Sequence, residues 1–174
     1  MPIVTTIEGR IAQVAIDRPE KRNTLSSELC KDLAREFLEL NDDTRVRSIV
    51  LCGHNNVFCA GLDIEEQLAE NTPIFNEFQK VIDALDALSK PVVAAVSGPA
   101  VSQGAAMLYH CDLVFAGEHA LFSMPGLALG QTPRYGVSLL AVKSGGYKLA
   151  AQKLLLSEPI SAAEAVAMLS LIHI

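Results

Sequence analysis

The chain has 174 residues, enough for one domain with a sizeable core. Half of the residues are apolar and 20% are charged, which excludes a disordered chain and a fibre and leaves a globular protein. The net charge of -6, with basic residues scattered along the chain, provides no general attraction to nucleic acid or to anionic membranes.

The first elements are strands. Residues 3–7 and 11–16 are rich in β-formers and flank Glu8-Gly9-Arg10, a hairpin turn signal. After the loop Asp17 to Asn23, apolar residues Leu25, Leu29, Leu33, Phe37 and Leu40 recur at helical spacing, with Thr24 or Ser26 as N-cap. Two short apolar runs, 48–52 and 90–96, suit buried parallel strands, and between them Ile74, Phe78, Val81, Ile82 and Leu85 mark a second helix. A helix from about 103 to 110, strands at 111–116 and 120–124, and helical segments after Tyr135 follow. Strands alternating with helices predict an α/β fold without internal repeats or linkers.

No apolar run approaches the roughly 20 residues of a membrane span. The longest, 92–101, is broken by Ser97, Gly98 and Pro99. The N-terminus lacks a basic stretch followed by an apolar block, so no secretory signal is expected and the cytoplasm is the expected setting. Cys30, Cys52, Cys59 and Cys111 have no framework spacing and read as reduced thiols.

Two segments stand out chemically. Asn55 to Ile64, with Cys59-Ala60-Gly61-Leu62-Asp63, is a small-residue loop directly after a buried strand. Ala94 to Ala106 runs from a strand through Ser97-Gly98-Pro99 into a helix start at Gln103-Gly104, where free backbone N–H groups and a helix dipole suit an anion or a developing oxyanion. Together with Asp17 to Leu25 and Cys111-Asp112-Leu113-Val114, these segments occur in the order and spacing of a known pattern. The chain resembles the crotonase superfamily, the enoyl-CoA hydratase and isomerase group, from its first strand to about Ala167.

The resemblance implies an α/β crotonase (ClpP-like) ββα spiral that binds an acyl-CoA and stabilises a thioester enolate, or a tetrahedral oxyanion, with two backbone N–H groups. By position, these donors are the N–H groups of Leu62 and Gln103. Removing a thioester α-proton demands such preorganised donors, and losing one commonly costs about 10²–10³ in rate. The resemblance further implies that Ala60, Gly61, Asp63, Ile64 and Gly104 belong to the substrate-binding wall, Asp63 more as a cap than as a catalyst. Lys21 and Arg22 lie in the loop near the coenzyme A nucleotide, either as phosphate ligands or as a solvated turn. Coenzyme A enters as part of the substrate, no other cofactor or metal is implied, and homo-oligomers, trimers or pairs of trimers, are expected.

The familiar carboxylates are missing. Aligned on the same motifs, the two hydratase carboxylate positions carry Ala106 and Gly126, and the isomerase glutamate position after Leu129-Gly130-Gln131-Thr132-Pro133 carries Arg134, followed by Tyr135. A guanidinium, with its pKa above about 12, is no base at neutral pH. Three readings follow: an acyl-CoA enzyme of a less familiar reaction in which Arg134 or Tyr135 contacts a polar or carboxylated acyl group; an acyl-CoA binding or assembly protein without turnover; or an enzyme using Glu65, Glu66 or His110 as base. Outside this family, Cys52, His54, His110 and Cys111 lack the paired spacing of zinc sites, and Cys59 would serve as a nucleophile only if His54 met it in space. No Walker loop, G-x-G-x-x-G segment or nucleophile elbow occurs.

Crotonase chains are longer than 174 residues. The expected organisation is therefore a spiral core over 1–168 lacking the C-terminal helical region, with 169–174 an abrupt, non-native end. Exposed apolar surface and poor solution stability are the corresponding expectations.

Overall fold

In the computed structural model, residues 2–168 and residues 172 and 173 are described. β1 (Ile3–Glu8) and β2 (Ile11–Ile16) form the expected antiparallel hairpin, with Gly9 supplying the positive φ of the turn. From β2 the sheet grows by parallel addition. α1 (Ser27–Asp42) leads to β3 (Ser48–Gly53), which lies beside β2. α2 (Ile64–Gln67) and α3 (Ile74–Ala87) then lead to β4 (Val92–Val96), beside β3.

The chain next leaves this sheet for a second one. β5 (Ala100–Val101) is followed by α4 (Gln103–Leu108), then β6 (Leu113–Ala116) returns beside β4, and β7 (Leu121–Ser123) pairs with β5. After α5 (Val137–Gly145) and α6 (Tyr147–Leu155), β8 (Ile160–Ser161) extends the second sheet, α7 (Ala162–Met168) follows, and β9 (Ile172–His173) pairs with β6. The orders are β1-β2-β3-β4-β6-β9 and β5-β7-β8. From β4 onward the chain passes back and forth between the two sheets, in keeping with an α/β ββα spiral. The expected non-native end lies outside the described residues except for 172 and 173.

The core lies between the large sheet and the paired helices α1 and α3. On α1, Leu29, Leu33, Phe37 and Leu40 are buried at three- and four-residue spacing. Ser26 caps the helix by accepting from the Leu29 N–H at 3.2 Å. Phe37, Phe58, Phe78 and Phe122 are fully buried, and truncating such a ring to alanine costs about 3–5 kcal/mol.

Two expectations need correction. Leu25 does not begin the helix: it forms a parallel bridge with Leu62, because its N–H and carbonyl are taken by Gly61 and Asp63 at 2.8 Å each. The strand after Cys111 begins only at Leu113, because Asp112 is spent on joining it to β4. The Asp112 carboxylate accepts from the Val92 N–H at 2.7 Å, and the Asp112 N–H donates to the Val92 carbonyl at 2.9 Å.

Candidate active site

Two turns run side by side. The Phe58 and Cys59 N–H groups both donate to the Pro99 carbonyl, the Val101 N–H donates to the Cys59 carbonyl at 2.9 Å, and Cys59 is bridged to Ala100. Leu62 and Gln103 each lie three residues beyond this bridged pair. The close approach depends on glycine. A Cβ on Gly98 would overlap the Asn56 carbonyl oxygen, and one on Gly104 would overlap that of Cys59. At Gly61, φ is 96°, and a Cβ would meet the Val101 carbonyl oxygen at 3.1 Å and Gln103 Oε1 at 3.2 Å.

The two N–H groups at the end of these turns are orphans. Leu62 and Gln103 are 1% and 6% exposed, and neither backbone N–H has an acceptor among the described residues. Buried amides without partners are rare in folded proteins. Gly61 and Asp63 both bond to Leu25, so the intervening Leu62 N–H points to the opposite side of that bridge. Ser102, at φ 54° and ψ -116°, sets the orientation of the peptide that carries the Gln103 N–H. A serine held there stores about 1–3 kcal/mol of backbone strain. Its N–H is tied to the Ser123 carbonyl at 2.7 Å, and its hydroxyl donates to Gln103 Oε1 at 2.7 Å.

The residues preceding these turns gather on the same side. The Ala60 N–H donates to the Arg22 carbonyl at 3.2 Å, and Lys21 Nζ lies 2.7 Å from Glu65. The Glu65 carboxylate raises the Lys21 pKa. Asp63 caps α2 through the Glu65 N–H and pairs with Arg18 at 3.1 Å, while Ile64 is 67% exposed. The anchor of this loop is Asn23, fully buried at φ 57°. Its amide donates to the His54 and Val57 carbonyls at 3.0 and 2.7 Å, and its Oδ1 accepts from the Arg18 N–H. Asparagine tolerates left-handed backbone and bonds locally to it, the one cue the sequence held for this role.

Beyond Gln103 lies a cavity of about 40 Å³, room for roughly three water-sized groups. Ala106 and Gly126, the residues that the resemblance aligns with carboxylate positions, are on its wall together with Gln103. Arg134 and Tyr135 supply the wall's titratable side chains. The Arg134 guanidinium sits over the Phe75 ring at 4.8 Å. Tyr135, at φ 58°, meets Phe78 edge-on at 4.8 Å and donates its hydroxyl to the Phe75 carbonyl at 3.4 Å. Burial pushes its phenol up to about 12, which leaves it a neutral donor at physiological pH.

The candidate bases are elsewhere. Glu65 is engaged with Lys21, and Glu66 accepts from the Ser27 N–H at 2.9 Å at the start of α1. His110 Nδ1 is 2.7 Å from Asp86, and its Nε2 is 2.9 Å from the Tyr135 carbonyl, so it braces the Tyr135 turn from behind. None of the three is on the cavity wall. Cys59 is no nucleophile: it is fully buried, its thiol is pushed up to about 12 by desolvation, and His54 pairs instead with Asp17 at 3.3 Å. Among the described residues no three His, Cys, Asp or Glu side chains gather as a metal set, and no helix is long and apolar enough to cross a membrane.

A double-layered spiral with two glycine-locked turns, one of which ends at the wall of a small cavity, defines a class of proteins, and sequence comparison agrees. The profile of the enoyl-CoA hydratase/isomerase family matches residues 6–169, and the chain belongs to that family. It is 33% identical over 169 residues to the short-chain-enoyl-CoA hydratase of Clostridium acetobutylicum, a match that takes in 94% of this chain and 65% of that protein. The 2,3-dehydroadipyl-CoA hydratase of Escherichia coli strain K12 is 32% identical over 165 residues, with the same two shares. The solved enoyl-CoA hydratase/isomerase of Pseudoalteromonas atlantica T6c superposes with a TM-score of 0.92 at 31% identity, covering 99% of this chain and 69% of the other. The chain thus spans just under two thirds of the length of the two curated relatives named here.

Proposed function

We propose that this protein binds a short acyl-CoA and polarises its thioester carbonyl with the backbone N–H groups of Leu62 and Gln103, in a reaction that does not use the hydratase pair of carboxylates. The observation that carries this is the pair of buried amides without acceptors at the ends of two locked turns. A carbonyl oxygen placed between them would gain two hydrogen bonds that strengthen as negative charge develops on it. Ala60, Gly61, Asp63, Ile64 and Gly104 shape the approach to this point, and Lys21 and Arg22 lie on the side from which the coenzyme A nucleotide would enter.

Hydration and double-bond shift both need a positioned acid or base. Ala106 and Gly126 have no ionisable group, a guanidinium such as that of Arg134 is no base at neutral pH, and Tyr135 is a donor only. Simple enoyl-CoA hydration is therefore expected to be absent or very slow. The vacancy of both carboxylate positions also favours a second reading, binding without turnover. A cytoplasmic setting and a homo-oligomeric assembly belong to the same proposal.

Calorimetric titration with crotonyl-CoA, alongside an absorbance assay for loss of enoyl conjugation, tests it. Binding with little or no absorbance change is the expected result, and absence of binding would refute both readings. A mass-spectrometric screen of enoyl-, β-hydroxy- and malonyl-type CoA esters separates the two: a new product from any one establishes turnover.

A further inference from the structure

We infer that the acyl pocket is selective for an acyl group ending in a carboxylate, with Arg134 as its counter-ion. This rests on the thioester-binding reading above and extends it to the far end of the acyl chain.

The cavity wall holds a cation and no anion. Besides Arg134 and Tyr135, its polar residues are Ser102, Gln103, Gln131 and Thr132, which can each donate as well as accept a hydrogen bond, and it holds no aspartate or glutamate. The chain carries 20 acidic residues against 14 basic ones, so a wall with a cation and no anion runs against its composition. Among the described residues no carboxylate lies within ion-pair distance of Arg134, nor of Arg10, Arg22 and Arg47, but of these four only Arg134 is on the cavity wall.

Arg134 is also held in place. Its guanidinium rests on the Phe75 ring, and the next residue is fixed at three points: the Tyr135 hydroxyl on the Phe75 carbonyl, the ring against Phe78, and the carbonyl on His110, itself backed by Asp86. An exposed arginine ordinarily loses side-chain freedom when it binds an anion, and stacking removes part of that cost in advance. A planar guanidinium also matches a carboxylate in bidentate geometry. The small cavity favours a chain of few atoms between thioester and carboxylate.

The test is calorimetric titration of the full chain with succinyl-CoA and butyryl-CoA, two four-carbon acyl groups that differ in the terminal carboxylate. Wild-type protein is expected to bind succinyl-CoA about tenfold more tightly, a preference that shrinks as salt rises, because the pair is partly exposed. Arg134→Gln brings the ratio close to one, and Arg134→Lys retains part of it. The thermal midpoints of both variants are read in parallel, so that unfolding is not mistaken for lost selectivity. Equal affinity of wild type for both esters, or a ratio untouched by Arg134→Gln, would overturn the inference and leave thioester binding standing. Failure to bind either ester would overturn both.

Discussion

The paired turns at 58–63 and 99–104 and the cavity wall at 124–137 meet at Gln103 yet are built on opposite principles. In the turns, backbone packs on backbone: glycines allow the approach, carbonyls and amides hold the register, and the groups we propose as ligand donors belong to the main chain. In the wall, side chains do the work, and the surroundings are looser. Leu127, Leu129, Leu139, Leu155 and Leu156 are all exposed on this part of the molecule. Main-chain donors survive side-chain substitution, so the turns can keep one chemical task while the wall changes what is selected. In the proposed reading this chain carries that division far, with both turns kept and Ala106, Gly126 and Arg134 on the wall at positions that the resemblance aligns with carboxylates.

Breaking the turns should have the largest effect. Gly104→Ala drives a Cβ into the Cys59 carbonyl and should cost about 3 kcal/mol or more, with loss of CoA-ester binding. Gly130→Ala near the wall, at φ 72° with open space around it, should cost only about 1–2 kcal/mol. Chemical denaturation of the two variants checks the contrast, and equal losses would break it. Asn23→Ala leaves the His54 and Val57 carbonyls without their donor and should cost about 2 kcal/mol, read in the same way.

The segment that follows the wall should respond mainly through pH. Lys153, on α6, binds Glu164 at 2.9 Å, while the Ser161 N–H and hydroxyl both donate to the same carboxylate. Led by the Lys153 bond, these contacts pull the Glu164 pKa from 4.5 to about 2. Its contribution to stability is fully present above about pH 4.5 and disappears as pH falls through about 2. Carbon-13 titration of Glu164 should give a midpoint well below the ordinary glutamate value, and Lys153→Met should return it toward 4.5. The smallest effect is spectroscopic. Tyr109 and Tyr135, both pushed up to about 12 by burial, should stay protonated through pH 10 in an ultraviolet titration.

Most of the architecture is legible in the sequence because it rests on periodicity: the β1–β2 hairpin, the apolar stripe of α1 and the runs of β3 and β4 each have a local signature. Leu25 continues the stripe's spacing and so reads as helical, while its N–H bonds to a loop 36 residues away. α2, with four residues, is too short to show a period. The site divides in the same way. Of the two proposed donors, Gln103 sits at a helix start that the sequence already marks as suited to an anion, whereas Leu62 is suggested only by the family resemblance, since a backbone amide leaves no mark on residue type. The Asn23 anchor, the Phe75 platform and the Asp86–His110 brace are tertiary contacts between distant segments, and no spacing rule announces them.

The central claim is that the Leu62 and Gln103 amides hold a thioester oxygen. Infrared difference spectroscopy on crotonyl-CoA labelled with carbon-13 at the thioester carbonyl tests it most directly. The account predicts that the labelled carbonyl stretch moves to lower frequency on binding, because two donors weaken the C=O bond. Binding with a stretch unchanged from that of the free ester would contradict it.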